Sequence, residues 1–316
     1  MTPIPDSLAA AYSRWGSDSR PAQGGFSWRR KSWANRFAKS DALKFRGIDL
    51  SAAVEEIAAA CSKDSGDRVL ISREVVQGLH APEKLRAGGE QAVVTAFIAA
   101  MIWGYGMTGY GPYRTSRVLT TDPEAVEHLV EIARIAQDPE RGGERAFAHI
   151  AEQRSEGVPY LKYLGPAFGT KFLYFLTAAS NDVDTTPVLD AVVRRWFTKH
   201  AEVKLYTAWW DLDSYSRYLG LLDEWRAQLP SPTESGPLQR EDVELLIFAS
   251  ERGDADSWLT DDHLIEPAEL GIDVLLEALW TEVEQLAASE RDDSQKGPEL
   301  LRQLREWIER DSTVDL

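Results

Sequence analysis

Between Glu90 and Arg114 the chain carries no charged residue. The first half of that stretch, Ala92 to Trp103, is almost wholly apolar, and a chain containing it must remove it from water. It is shorter than the roughly 20 residues needed to cross a bilayer, and Gly104 and Tyr105 interrupt the residues beyond it. The pattern predicts a central helix over Glu90–Trp103, enclosed by other elements and running into a glycine–tyrosine loop, Gly104–Tyr113. Apolar residues at helical spacing predict further helices near Leu50–Cys61, Pro123–Ala136, Gly143–Glu156, Tyr160–Leu164, Thr170–Ala179 and Leu189–His200. Arg240–Ser250, Asp273–Ser289 and Pro298–Arg310 follow the same pattern. No convincing set of alternating strands stands out. The expected fold is all-α, or mainly α with strands confined to the N-terminal third.

The 316 residues suffice for one large or two modest domains. Three segments differ in composition. Residues 1–47 form a basic, aromatic arm containing Trp28-Arg-Arg-Lys-Ser-Trp33. Residues 48–229 read as a helical core, and a proline-rich break, Leu229–Pro237, separates it from acidic helices over 238–316. The net charge of −16 is unevenly spread: residues 1–50 sum to +5 and residues 201–316 to −18. A nucleic-acid face needs local positive charge and not a basic average, so the acidity does not exclude DNA. The arm suits phosphate contact and stacking; the competing expectation packs its tryptophans on the core and leaves its arginines in water. The acidic third reads as a solvated surface, with a docking face for a protein partner as the alternative.

A single cysteine, Cys61, excludes an intrachain disulfide and any multi-cysteine zinc or iron–sulfur site. Five histidines show no ligand spacing, so neither metal nor cofactor is expected. The N-terminus has no basic flank followed by an apolar run. A cytoplasmic monomer away from membranes is the expectation.

Chemistry concentrates in Leu161-Lys-Tyr-Leu-Gly-Pro-Ala-Phe-Gly-Thr-Lys171, followed by an apolar helix and Pro187-Val-Leu-Asp190. Gly165 and Gly169 permit a tight turn with positive φ angles. The helix expected to start near Thr170 offers unpaired N–H groups and a dipole that attract an anion such as a phosphodiester. Lys171 would sit in the first turn of that helix, where the dipole and partial burial both favour the free amine, a nucleophile that forms Schiff bases. Asp190, 19 residues on, heads the next helix; it can cap that helix and also stabilise positive charge. Asp184, in Val183-Asp-Thr185, is the competing carboxylate, only 13 residues from Lys171. The spelling Gly-x-x-x-Gly-Thr-Lys also approaches a P-loop, but one residue is missing, the Thr–Lys order is reversed, and no buried strand is expected ahead of it.

The stretch Leu164–Lys171 with Asp190 resembles the helix-hairpin-helix DNA glycosylases, and within them the 8-oxoguanine DNA glycosylase branch. That branch reads Leu-Pro-Gly-Val-Gly-Thr-Lys at its hairpin and Val-Asp before the next helix, with the same spacing. The match covers Leu161 to Trp196. The resemblance implies a two-lobed α-helical fold with the site in the cleft between lobes, acting on double-stranded DNA that contains a modified base. It implies that Lys171 attacks the sugar C1′ and that Asp190 supports it, with an accessory lyase activity through the imine. The target base must then be flipped from the duplex. Gly165, Gly169 and Thr170 are the expected hairpin contacts to DNA, and Arg114, Arg194 and Arg195 the candidate phosphate contacts, with surface ion pairs as their alternative. Trp103, Tyr105 and Tyr110 are candidates to line the base pocket or fill the gap left in the duplex, unless they form a buried aromatic turn. Three positions depart from the branch. Its first hairpin glycine falls on Ala167, its histidine two residues past the aspartate on Val192, and its cysteine one turn past the lysine on Phe175, near the expected base pocket. The departures leave open a glycosylase rebuilt for another base, such as a phage-modified one. A DNA-binding protein without catalysis and a protein-interaction scaffold compete with the enzyme reading.

Overall fold

In a computed structural model, which describes residues 2–252 apart from 40–42, 44–45, 65, 156–159 and 181, the uncharged stretch lies within helix α5 (Pro82–Tyr105), where every residue from Ala92 to Trp103 is buried. Proline at its first turn suits a helix start. Gly89 (φ 57°) kinks it at a conformation that glycine alone adopts cheaply. Helices α3 (Leu50–Ala60), α4 (Arg73–Leu79), α6 (Tyr110–Thr121), α7 (Ala125–Ala136) and α9 (Pro166–Ala178) pack directly on α5. Helix α2 (Arg30–Phe37) joins through α3 and α6, and α8 (Gly142–Ser155) through α7 and α9. The length and hydropathy of α5 meet the criterion for a membrane span; its burial inside this ring accounts for that apolarity.

A second set of helices gathers round α12 (Arg240–Arg252): α1 (Asp6–Trp15), α10 (Ala191–His200) and α11 (Leu212–Arg226). Trp196 and Trp225 lie at its centre, both fully buried, with ring centroids 5.8 Å apart. Thus α1, near the N-terminus, docks on α12, near the end of the described chain. Contacts between α8 and α11 join the two sets. Caps fix several starts: Asp49, Ser72 and Asp211 accept from Ala52, Val75 and Ser214 N–H at 2.9, 3.4 and 2.8 Å.

The fold is mainly helical. Among the described residues the strands β1 (Phe26–Arg29), β2 (Ser62–Lys63) and β3 (Arg68–Ile71) fall in the N-terminal third and form one antiparallel sheet in the order β1-β3-β2, with Phe26 opposite Ile71. Trp28 and Trp33 are buried in the core while Arg29, Arg30 and Lys31 face outward.

The helix expected over Tyr160–Leu164 is instead a turn, because its carbonyls are taken by side chains. Helix α9 starts at Pro166 and not near Thr170, and α6 starts at Tyr110, inside the expected loop. Helices α1, α2, α4, α6 and α11 are not among those the spacing predicted. The expected helices Asp273–Ser289 and Pro298–Arg310 lie outside the described residues.

Candidate active site

The turn ahead of α9 is built by arginines. Arg154, on α8, donates to the carbonyls of Tyr160, Leu161 and Leu164 at 3.1, 2.5 and 2.9 Å. Arg114, on α6, donates from Nε to the Tyr163 carbonyl at 2.7 Å, and Asp122 accepts the Leu161 N–H at 2.9 Å. Burial, with the nearby Arg114 charge, pulls the Arg154 pKa down to about 10, which leaves it charged at neutral pH. These contacts hold Leu161 and Tyr163 at φ 45° and 78°. The left-handed residues of the hairpin are therefore these two and not the glycines. Gly165 is an extended N-cap (φ −77°). Gly169 lies within α9, where any Cβ would run into the Trp210 ring; Trp210 donates in turn to the Leu164 carbonyl at 3.2 Å. Arg154→Leu would strip three buried carbonyls of their donor. A loss of about 2–3 kcal/mol in stability is expected, read from the denaturant midpoint.

The early start of α9 moves Lys171 into its second turn, where the terminal dipole acts weakly. Burial remains, since the Lys171 side chain is only 7% exposed. Its Nζ lies 3.4 Å from Asp190 Oδ2 and 3.2 Å from the Ala167 carbonyl, and 5.1 Å from the Phe168 ring centre. Asp190 uses its other oxygen to cap α10, accepting from Val192 and Val193 N–H at 3.0 and 3.2 Å. The cap fixes the carboxylate so that its free edge faces the amine. Thr170 sets the separation: its fully buried hydroxyl accepts the Leu189 N–H at 3.2 Å, tying α9 to the residue before Asp190. Asp184 lies elsewhere, 61% exposed and 3.7 Å from Arg226. Among the described residues a turn over 160–163, and not a strand, leads into α9, so the P-loop spelling has no P-loop structure beneath it.

Lys171 and Asp190 open onto a small cavity of about 40 Å³ between the two helix sets. One side is lined by Gln23, Phe26, Arg73, Trp103, Gly104 and Lys171, the other by Val188, Asp190, Glu244 and Phe248. That volume holds about one water, so entry of a larger group must displace a wall. Arg73 organises the polar wall: its Nε donates to Gln23 at 2.7 Å, its Nη1 to the Tyr174 hydroxyl at 3.1 Å, and its Nη2 lies 3.5 Å from Glu244. The indole N–H of Trp103, on this wall, and Oε2 of Glu244, across from it, are buried without a hydrogen-bond partner among the described residues. Gly104 lets the lysine pass, since a Cβ there would lie 2.6 Å from Lys171 Cδ. Gly104→Ala must displace the flexible amine end by about 1 Å. Catalysis should fall by up to about 10²-fold while the thermal midpoint changes little, a split that calorimetry and single-turnover assays would read.

The other expected site residues scatter. Trp103 lines the cavity, and Phe175 packs edge-on behind it at 5.1 Å, fully buried and outside the lining. Tyr105 stacks on Phe168 at 3.9 Å in the core. Tyr110 is half-buried at the start of α6, with Arg114 Nη1 3.4 Å from its hydroxyl. Arg114 is itself buried as the hairpin brace. Arg194 is exposed on α10, and Arg195 pairs with Glu251 at 3.1 Å. Sequence reasoning missed Gln23, Phe26, Arg73, Val188, Glu244 and Phe248. Only Glu244 carried a signal: it stands three and four residues before Ile247 and Phe248, a charge on the apolar stripe of its helix.

No curated protein and no solved structure matches the chain. A family model described as "Putative 8-oxoguanine DNA glycosylase OGG-like protein" matches residues 19–248, a span that holds the hairpin, Lys171, Asp190 and every residue lining the cavity. The chain belongs to this family of OGG-like DNA glycosylases.

Proposed function

We propose that the chain excises a modified base from double-stranded DNA through a lysine Schiff base, with an accessory strand-cleaving lyase activity. The observation that supports this is the buried Lys171 amine 3.4 Å from Asp190, on the wall of a cavity between two helix sets. Breaking an N-glycosidic bond gives the sugar oxocarbenium character. Asp190 faces the position where that charge develops and takes up the proton that the amine releases. Lys171 forms a bond to C1′, and ring opening yields an imine from which β-elimination cuts the strand. The base reaches the cavity only after flipping, at a cost of a few kcal/mol. Unpaired N–H groups at the start of α9 suit a phosphodiester. Arg194, one turn along α10 from Asp190, suits another.

Family membership favours an 8-oxoguanine-like purine. With Phe175 held behind Trp103, reading of the base falls to Gln23, Arg73, Glu244 and the aromatic wall. This polar wall also favours the second reading, a pocket fitted to a different modified base. Borohydride trapping across duplexes carrying different modified bases tests both. Strong trapping and release with 8-oxoguanine opposite cytosine supports the first reading, and a sharper preference for another base supports the second. Tight DNA binding with no trapping on any lesion would leave only a non-catalytic clamp.

A further inference from the structure

Glu244 is a buried acid in the reaction cavity that the lysine chemistry leaves unused. It projects from α12 with 3% of its surface exposed. It lines the same cavity as Lys171 and Asp190. Its Oε2 makes no hydrogen bond among the described residues; the Arg73 guanidinium stands 3.5 Å from it, an ion-pair distance longer than a good hydrogen bond. A buried carboxyl oxygen held only by so loose an ion pair costs free energy unless a ligand or a proton completes it.

Resting on the lysine reading above, we propose that Glu244 is the general acid that protonates the departing base. The C1′–N bond breaks and its electron pair stays on the base. The base takes the carboxyl proton of Glu244, while the Lys171 amine forms its bond to C1′. Glu244 is left as a carboxylate beside Arg73, and the new bond leaves a positive charge on the lysine nitrogen beside Asp190. Charge and atoms balance, and each new charge forms next to an opposite one. A base too poor to leave as an anion is the leaving group that such an acid serves.

The protonation state agrees with the role. Burial is the main influence on Glu244, with the Asp190 charge adding to it and Arg73 and Lys171 opposing, and its pKa is pushed up to about 7. The other titratable groups facing it are Tyr174 on α9 and Tyr215 and Tyr218 on α11. Helix α1, also packed on α12, turns its Tyr12 hydroxyl to the Pro230 carbonyl. Below about pH 7 the acid holds its proton; above it the proton is lost and base departure slows.

The test compares two single-turnover rates on the same full-length protein. One is excision of 8-oxoguanine opposite cytosine. The other is borohydride trapping on a duplex with a preformed abasic site, where no base remains to protonate. Both need the lysine amine, so their ratio isolates the acid. In wild type the ratio should fall about tenfold per pH unit above pH 7. In Glu244→Gln it should be about 10²-fold lower at pH 6 and independent of pH, with abasic trapping nearly intact. A wild-type ratio that is flat from pH 6 to 9, which needs no variant, would overturn the proposal. So would a folded Glu244→Gln protein with an unchanged ratio, or one that loses abasic trapping to the same degree as excision. A wild type that excises the base with this pH dependence but never traps would contradict the lysine reading and leave Glu244 as the acid.

Discussion

Lys171→Gln should abolish borohydride-trapped protein–DNA complex while leaving duplex binding nearly unchanged. The glutamine side chain reaches almost as far as the lysine and can still donate to the Ala167 carbonyl, which now accepts from Nζ at 3.2 Å. Asp190 keeps its Val192 and Val193 donors on Oδ1 and loses the lysine on Oδ2. The lost ion pair lowers stability, so trapping is scored on protein shown to be folded by circular dichroism. What disappears is the one amine on the cavity wall. Among the lining residues the other cation is the Arg73 guanidinium, which does not form an imine. Trapping should drop to background and not to a fraction. Trapping at the wild-type level in this variant would remove the nucleophile assignment.

Asp190→Asn is the second large effect, and it separates the carboxylate's two roles. Asparagine caps helices about as well as aspartate, so α10 keeps its start and the thermal midpoint should move little. The negative charge facing Lys171 and the sugar is lost. Base release should slow by about 10²–10⁴-fold, the range for removing a charged acid–base partner, while affinity for DNA holds or rises. Asp184→Asn should leave the rate unchanged, since Asp184 is 61% exposed beside Arg226. The reverse pattern, normal turnover in Asp190→Asn and loss in Asp184→Asn, would transfer the role.

Part of this site is legible in the sequence. Lys171 and Asp190 belong to one short stretch, and their separation follows from one helix, one connection and one cap. Such local features are written in adjacent residues. The central helix was equally plain, because an uncharged run of that length has no other place to go. The hairpin differs in detail: glycine permits positive φ, but here Leu161 and Tyr163 adopt it because Arg154, at the end of the preceding helix, and Arg114, 49 residues upstream, hold their carbonyls. Thr170 carries a similar lesson, expected at DNA but used inside to tether Leu189. The rest of the lining is not legible in the sequence. Gln23 and Arg73 meet because β1 pairs with β3, and Phe248 reaches them through packing between the two helix sets; no spacing relates the three. Among the missed lining residues Glu244 alone stands out, as a charge on the apolar stripe of its helix.

In the proposed reaction one buried lysine bonds to the sugar. Borohydride reduction of wild-type protein on an abasic duplex, followed by digestion and mass spectrometry, locates the bond directly. The sugar remnant should be found on Lys171. A remnant on Lys162, on another lysine or on the N-terminal amine would contradict it.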